Sequence, residues 1–187
     1  MTPGQVVIVT GPPGAGKSTI ARMLAETADA PGGVHLHGDD FLAYIRSGFI
    51  APHLPASMHQ NQVLSRALAA AACRFAVGGY LTLLDWVVGP WFLDIYRDEA
   101  ERAGVPLDYL VLRPSEDAVV SRSRNRDAAP ILDYDHLRPL YAQLSRLGEF
   151  EAHVVDTTAS SPDETVAVVR QGLRAGRFRV GGPSLAP

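Results

Sequence analysis

The chain has one cysteine and one lysine among its 187 residues. A lone cysteine, Cys73, excludes a disulfide within the chain. It closes the run Ala69-Ala70-Ala71-Ala72-Cys73, where a small buried residue is expected and not a nucleophile. No apolar run approaches the roughly 20 residues that cross a bilayer. No basic segment followed by an apolar one opens the chain, so a secretory leader is not expected. Positive charge is not in excess: 17 Lys+Arg stand against 20 Asp+Glu, a net charge of −3. That balance argues against general attraction to nucleic acid or to an anionic membrane. A soluble cytoplasmic protein with neither partner is the expectation. No internal repeat is visible, and 47% hydrophobic with 20% charged residues is the composition of a globular chain. We expect residues 1–178 to form one domain and 179–187 a flexible C-terminal tail.

The lone lysine stands where a compact ammonium is needed. Gly11-Pro12-Pro13-Gly14-Ala15-Gly16-Lys17-Ser18 has the P-loop spacing, Gly-x-x-x-x-Gly-Lys-Ser. An apolar run, Val6-Val7-Ile8-Val9, precedes it, and a helical pattern from Thr19 follows. Its glycines permit positive φ and close approach to an anion, and successive N–H groups then form a nest for phosphates. Lys17 is expected to reach the β/γ-phosphates and the Ser18 hydroxyl to ligate Mg²⁺. Gly11 to Thr19 are the expected nucleotide-binding residues. ATP is the expected nucleotide; the absence of a guanine-reading Asn-Lys-x-Asp element does not by itself decide between ATP and GTP.

Strand and helix patterns alternate after this point. Strands are expected at Val6–Thr10, Val34–His37, Tyr80–Leu84, Leu107–Leu112 and Ala152–Val155. Helices are expected after the P-loop, at Asn61–Val77, from Pro90 to about Ala103, from Ser115 towards Arg126, around Leu137–Leu147, and from Ser161, where Ser161-Pro162-Asp163-Glu164 is a capping box. The alternation predicts an α/β fold around a five-stranded parallel sheet, and analogy with P-loop kinases implies a three-layer P-loop sandwich with strand order 2-3-1-4-5. Ligands bind at the C-terminal strand ends of such sheets. The P-loop, Asp39-Asp40, Asp85, Arg113 and Asp156-Thr157 all follow strands and are expected to gather there.

Phosphoryl transfer to an alcohol uses a carboxylate to take up the hydroxyl proton, and Asp39 and Asp40 follow the second strand. The same aspartates suit a helix or turn cap. Asp85 ends an apolar strand, which suits either a Walker B acid that helps hold Mg²⁺, directly or through water, or a helix or turn cap. Arg122-Ser123-Arg124-Asn125-Arg126 closes a helix, with Arg122 and Arg126 on one face. A lid bringing guanidinium groups onto the transferring phosphoryl is one reading, and a solvated basic helix end is the other. Phe41, Tyr44 and Phe49 follow the acidic pair, and Trp86, Trp91 and Phe92 follow Asp85; an aromatic acceptor pocket or plain packing would use either group. His53 and His59 show no metal-ligand spacing and are expected on the surface.

These residues resemble small P-loop kinases, the chloramphenicol phosphotransferase-like and gluconate kinase-like proteins above all, with zeta-toxin-like kinases nearby. The resemblance runs from about Val6 to Arg174 through the P-loop, Gly38-Asp39-Asp40-Phe41-Leu42, the Asp85 strand, the arginine helix and Val155-Asp156-Thr157-Thr158. It implies Asp40, ahead of Phe41-Leu42, as the base in preference to Asp39. It implies Arg122 and Arg126 as lid arginines, and Arg113 with Thr157-Thr158 near the nucleotide base. The expected activity is transfer of the γ-phosphoryl of ATP to a hydroxyl of a small, partly apolar molecule. The alternatives are an ATP-hydrolysing regulatory protein and a toxin-type kinase of nucleotide sugars.

Overall fold

The computed structural model describes residues 4–29, 31–124 and 138–181. Five strands form one sheet: β1 (Gln5–Thr10), β2 (Gly33–His37), β3 (Leu81–Asp85), β4 (Leu107–Leu112) and β5 (Val154–Val155). Their order is β2-β3-β1-β4-β5, and every pairing is parallel. Both faces of β1 are buried. Val6 and Ile8 enter one apolar cluster, Val7 and Val9 the other. This is why β1 reads as an unbroken β-branched run and not as an alternation.

Among the described residues there are seven α-helices: α1 (Lys17–Glu26), α2 (Gly38–Ala43), α3 (Met58–Val77), α4 (Pro90–Ala103), α5 (Glu116–Arg124), α6 (Arg138–Leu144) and α7 (Pro162–Arg174). On one side α3 contributes Leu68, Ala72 and Cys73, and α4 contributes Leu93 and Tyr96. The alanines of α3 let the two helices approach closely. On the other side Ile20 and Leu24 of α1 meet Val169 of α7. Each fully buried aliphatic side chain contributes roughly 1.5–3 kcal/mol. Packing on the sheet, more than local propensity, therefore fixes these helices. At α7 both agree: Ser161 accepts from the Glu164 N–H, and Glu164 reaches back to the Ser161 N–H at 2.8 Å.

Three expectations are corrected. The helix read as starting at Asn61 begins at Met58, after a 3₁₀ turn at Pro55–Ser57. The fifth strand is only two residues, because Gly148–His153 forms 3₁₀ turns where Ala152 and His153 read as extended. The chain after Phe178 is not loose at its start. Val180 is 6% exposed, its N–H donates to the Leu107 carbonyl at 2.9 Å, and Arg179 pairs with Asp108. Residues 182–187 lie outside the described residues. Among the described residues, no helix is long and apolar enough to cross a membrane.

Candidate active site

The P-loop occupies the turn from β1 to α1. Gly11 has φ 146°, and a Cβ there would stand 2.1 Å from the Leu112 carbonyl oxygen, so only glycine fits against β4. Gly16, at φ 91°, is the N-cap of α1 and supplies no side-chain cap. The first N–H groups of α1 therefore remain available to an anion, with the positive end of the helix dipole behind them. Lys17 Nζ donates to the carbonyls of Gly11 at 3.0 Å and Pro12 at 3.1 Å, which folds the ammonium back over its own loop.

A cavity of about 350 Å³ opens over this loop. Lys17 and Ser18 line it from below, His37 and Asp39 from β2 and α2, Asp85 and Trp86 from β3 and the residue after it, and Arg122 from α5. A second cavity, about 190 Å³, lies alongside and shares Gly16, Thr19 and Arg122. Thr157 lines it, and its hydroxyl is buried without a hydrogen-bond partner among the described residues. Arg122 bridges the two spaces, donating to the carbonyls of Thr157 at 2.7 Å and Thr158 at 3.2 Å.

Asp85 forms the floor. It is 1% exposed and stands opposite His37 in the β2–β3 register. His35 Nε2 lies 2.7 Å from one of its oxygens and His37 Nδ1 lies 2.5 Å from the other. Burial pushes the carboxyl pKa up, but hydrogen bonds from His35, His37 and Ser18 together outweigh it and hold the group below its usual value. The far nitrogen of His37, Nε2, is 3.6 Å from Asp39 Oδ2. An imidazole thus stands between two carboxylates, one buried and one at the cleft mouth.

Most of the expected residues converge, with exceptions. Asp39 is among the residues that line the cleft, and Asp40, the next residue, is not. Both lie in the first turn of α2, where one residue turns a side chain by about 100°. Neither serves as the N-cap, which is His37. Arg113 is not at either cavity. It holds Glu151 with two hydrogen bonds, 3.1 and 2.7 Å, and donates to the Leu144 carbonyl at 3.2 Å. Arg126 lies outside the described residues.

The two aromatic groups do not form one pocket wall. Trp86 lines the cleft and packs against Gly38, where a Cβ would stand 2.2 Å from its ring. Phe92 is core, whereas Tyr44, Phe49 and Trp91 are exposed. His53 and His59 are exposed. Cys73 is buried, and burial pushes its thiol up to about 11, which suits a packing role. Sequence reasoning passed over His35 and His37. The available signal was the His-x-His alternation on a strand, which puts both rings on one face.

Arrangement of strands, P-loop and helix-borne arginine defines a P-loop kinase-like fold. The chain matches the AAA domain family over residues 6–147 and belongs to it. No curated protein matches the chain. It is similar to an unliganded sugar kinase from Janibacter sp. HTCC2649, at 21% identity, 92% coverage of this chain and 95% of that one, and a TM-score of 0.68. It is similar to the tunicamycin resistance protein of Deinococcus radiodurans, at 18% identity, 96% and 99% coverage, and a TM-score of 0.64. It is also similar to the Mycobacterium tuberculosis APS kinase CysC in complex with AMPPNP and APS, at 22% identity, 92% and 98% coverage, and a TM-score of 0.59.

Proposed function

We propose that this protein transfers the γ-phosphoryl group of ATP to a hydroxyl of a small molecule. The observation that carries the reading is a single cleft of about 350 Å³ lined by Lys17 and Ser18 of the phosphate loop, a carboxylate at Asp39 and a guanidinium at Arg122. The APS kinase that shares the fold was obtained with AMPPNP and APS, and the sugar kinase is a second relative of the same kind. The unpartnered Thr157 hydroxyl in the adjoining cavity supports binding of the nucleoside there.

In this reading the triphosphate lies on the N–H groups that open α1. Lys17 leaves the Gly11 and Pro12 carbonyls and meets the β/γ-phosphates. Arg122 faces the transferring group and stabilises its developing charge. Asp39 accepts the proton of the acceptor hydroxyl, and Trp86 with Val87 gives the cleft an apolar wall that excludes water. A wall of that kind, together with the resemblance to chloramphenicol phosphotransferase-like proteins, favours a partly apolar alcohol. The donors fit a divalent cation: the Ser18 hydroxyl and the ionised Asp85 carboxylate meet at the cleft floor. Such an ion, when bound, neutralises charge on the phosphates.

The test is acceptor-dependent ADP formation across a panel of gluconate, shikimate, nucleosides and hydroxylated antibiotics. With an active acceptor, Asp39→Asn is expected to lower kcat about 10²-fold while the affinity for an ATP analogue is kept. Asp40→Asn is expected to stay within a few-fold of the parent. The reverse pattern would return the base to Asp40. ATP hydrolysis that no hydroxyl compound redirects would overturn the kinase reading in favour of a regulatory ATPase.

A further inference from the structure

Ser18 and Asp85 are sufficient oxygen donors for the cation that accompanies ATP, yet two imidazoles converge on the same carboxylate. His35 and His37 alternate on β2 and so present both rings to one face, where Asp85 ends the neighbouring strand. One ligand atom from each of the three residues lies within 4.8 Å of the others. Metal–nitrogen and metal–oxygen bonds of about 2.0–2.2 Å would draw these atoms to within roughly 3.5 Å of one another in a tetrahedral site, a change that small side-chain rotations supply.

We infer that His35 Nε2, His37 Nδ1 and an oxygen of Asp85 ligate a single first-row transition ion of the Co²⁺ or Zn²⁺ kind at the floor of the cleft. The inference rests on the phosphotransfer reading for the place of the cation and assigns that cation a different chemistry. Imidazole nitrogen suits such ions and not Mg²⁺, which prefers carboxylate, carbonyl and water oxygens. The contacts at 2.5 and 2.7 Å are the arrangement of these side chains around protons, and an ion takes the place of those protons. For His37 to ligate through Nδ1, its remaining proton must sit on Nε2. That nitrogen faces Asp39 Oδ2 at 3.6 Å, so a carboxylate stands ready to hold the required tautomer. Carboxylate–imidazole–metal chains of this form orient the ring and raise its basicity. Asp39 then has two tasks in one position, at the cleft mouth towards the acceptor and behind a metal ligand.

The experiment is a Co²⁺ titration of chelator-treated, nucleotide-free full-length protein, read by visible d–d absorption, with Zn²⁺ and then Mg²⁺ as competitors. One equivalent of Co²⁺ is expected to give saturable bands that Zn²⁺ removes and a large excess of Mg²⁺ does not. His35→Gln and His37→Gln are each expected to weaken Co²⁺ binding about tenfold or more, and Asp39→Asn to weaken it less. Thermal melts establish that each variant is folded. Binding that is absent in the parent protein, that Mg²⁺ displaces at equal concentration, or that both folded histidine variants keep unchanged would overturn the site. Binding of an ATP analogue is measured separately with Mg²⁺ present. Loss of that binding with Co²⁺ bands intact would count against the phosphotransfer reading and leave the histidine ligands standing. Intact analogue binding without histidine-dependent Co²⁺ bands would remove the metal site alone.

Discussion

Two aspartates are buried almost equally at opposite ends of the sheet. Asp85 is 1% exposed at the C-terminal end of β3, and Asp108 is 0% exposed near the start of β4. Their surroundings push them in opposite directions. Around Asp85, burial is overcome by hydrogen bonds from two imidazoles and a hydroxyl, and the carboxyl pKa falls below its usual value. Around Asp108, burial wins although Arg179 and Gln5 both oppose it, and the pKa rises. Arg179 Nη2 stands 3.1 Å from Asp108 Oδ2, and the Gln5 amide donates to the same oxygen. A carboxylate held by two imidazoles beside a cavity can exchange its partners for a cation. One clamped by a guanidinium away from the cleft can only join strands to the C-terminal segment. The difference separates the end of the sheet that opens onto the cleft from the end that holds the chain together.

The largest effect expected from breaking this contrast is at Asp85. Asp85→Asn should lower phosphotransfer about 10²-fold or more in a protein that still folds, with some loss of melting temperature because the lowered pKa of the carboxyl is stability at neutral pH. Steady-state kinetics and a thermal melt on the same preparation check both halves. A folded Asp85→Asn protein with full turnover would erase the distinction. Next is Arg179→Ala, which leaves Asp108 buried without its cation and should cost about 1–3 kcal/mol, a partly exposed arginine being worth less than a fully buried one. Turnover should stay within a few-fold. Because the folded pKa of Asp108 lies above its unfolded value, its ionisation weakens the fold as pH rises through the carboxylate range. Removing Arg179 raises that pKa further, so denaturant titrations should show a greater loss at pH 7 than at pH 4.

The smallest effect belongs to a surface pair. Hydrogen bonds from Arg113 and the Leu147 N–H hold the Glu151 carboxyl down at about 2. Its folded pKa is depressed, so its stabilisation is complete above the ordinary carboxylate value and is lost as pH falls towards about 2. Arg113→Ala should flatten that acid limb and shift the melting temperature at pH 7 less than Arg179→Ala does, because Glu151 is 44% exposed and water screens the pair.

The sheet was legible because β1 carries the unbroken apolar run Val6–Val9 and β4 the run Tyr109–Leu112, and because Gly104 and Pro106 mark the end of α4. The P-loop was legible because its backbone geometry tolerates few residue types. Which of Asp39 and Asp40 lines the cleft was not, since adjacent positions in one helical turn differ only in direction, and direction is set by how α2 leaves β2 over Trp86. Arg113 follows a strand and so shares the address of a ligand residue, but Glu151, 38 residues later, claims its side chain. The histidines escaped notice for a similar reason. His35 and His37 look like surface residues of an edge strand until β3 is laid beside them and Asp85 appears opposite.

The lone lysine has a consequence for covalent chemistry. Lys17 Nζ rests on the carbonyls of Gly11 and Pro12, and it is the only side-chain amine in the chain. Any reagent or enzyme that acylates, carbamylates or alkylates a lysine here acts on the phosphate loop or on nothing. Lysine acylation is therefore counted in single equivalents, and each such equivalent is one molecule whose P-loop ammonium has lost its charge.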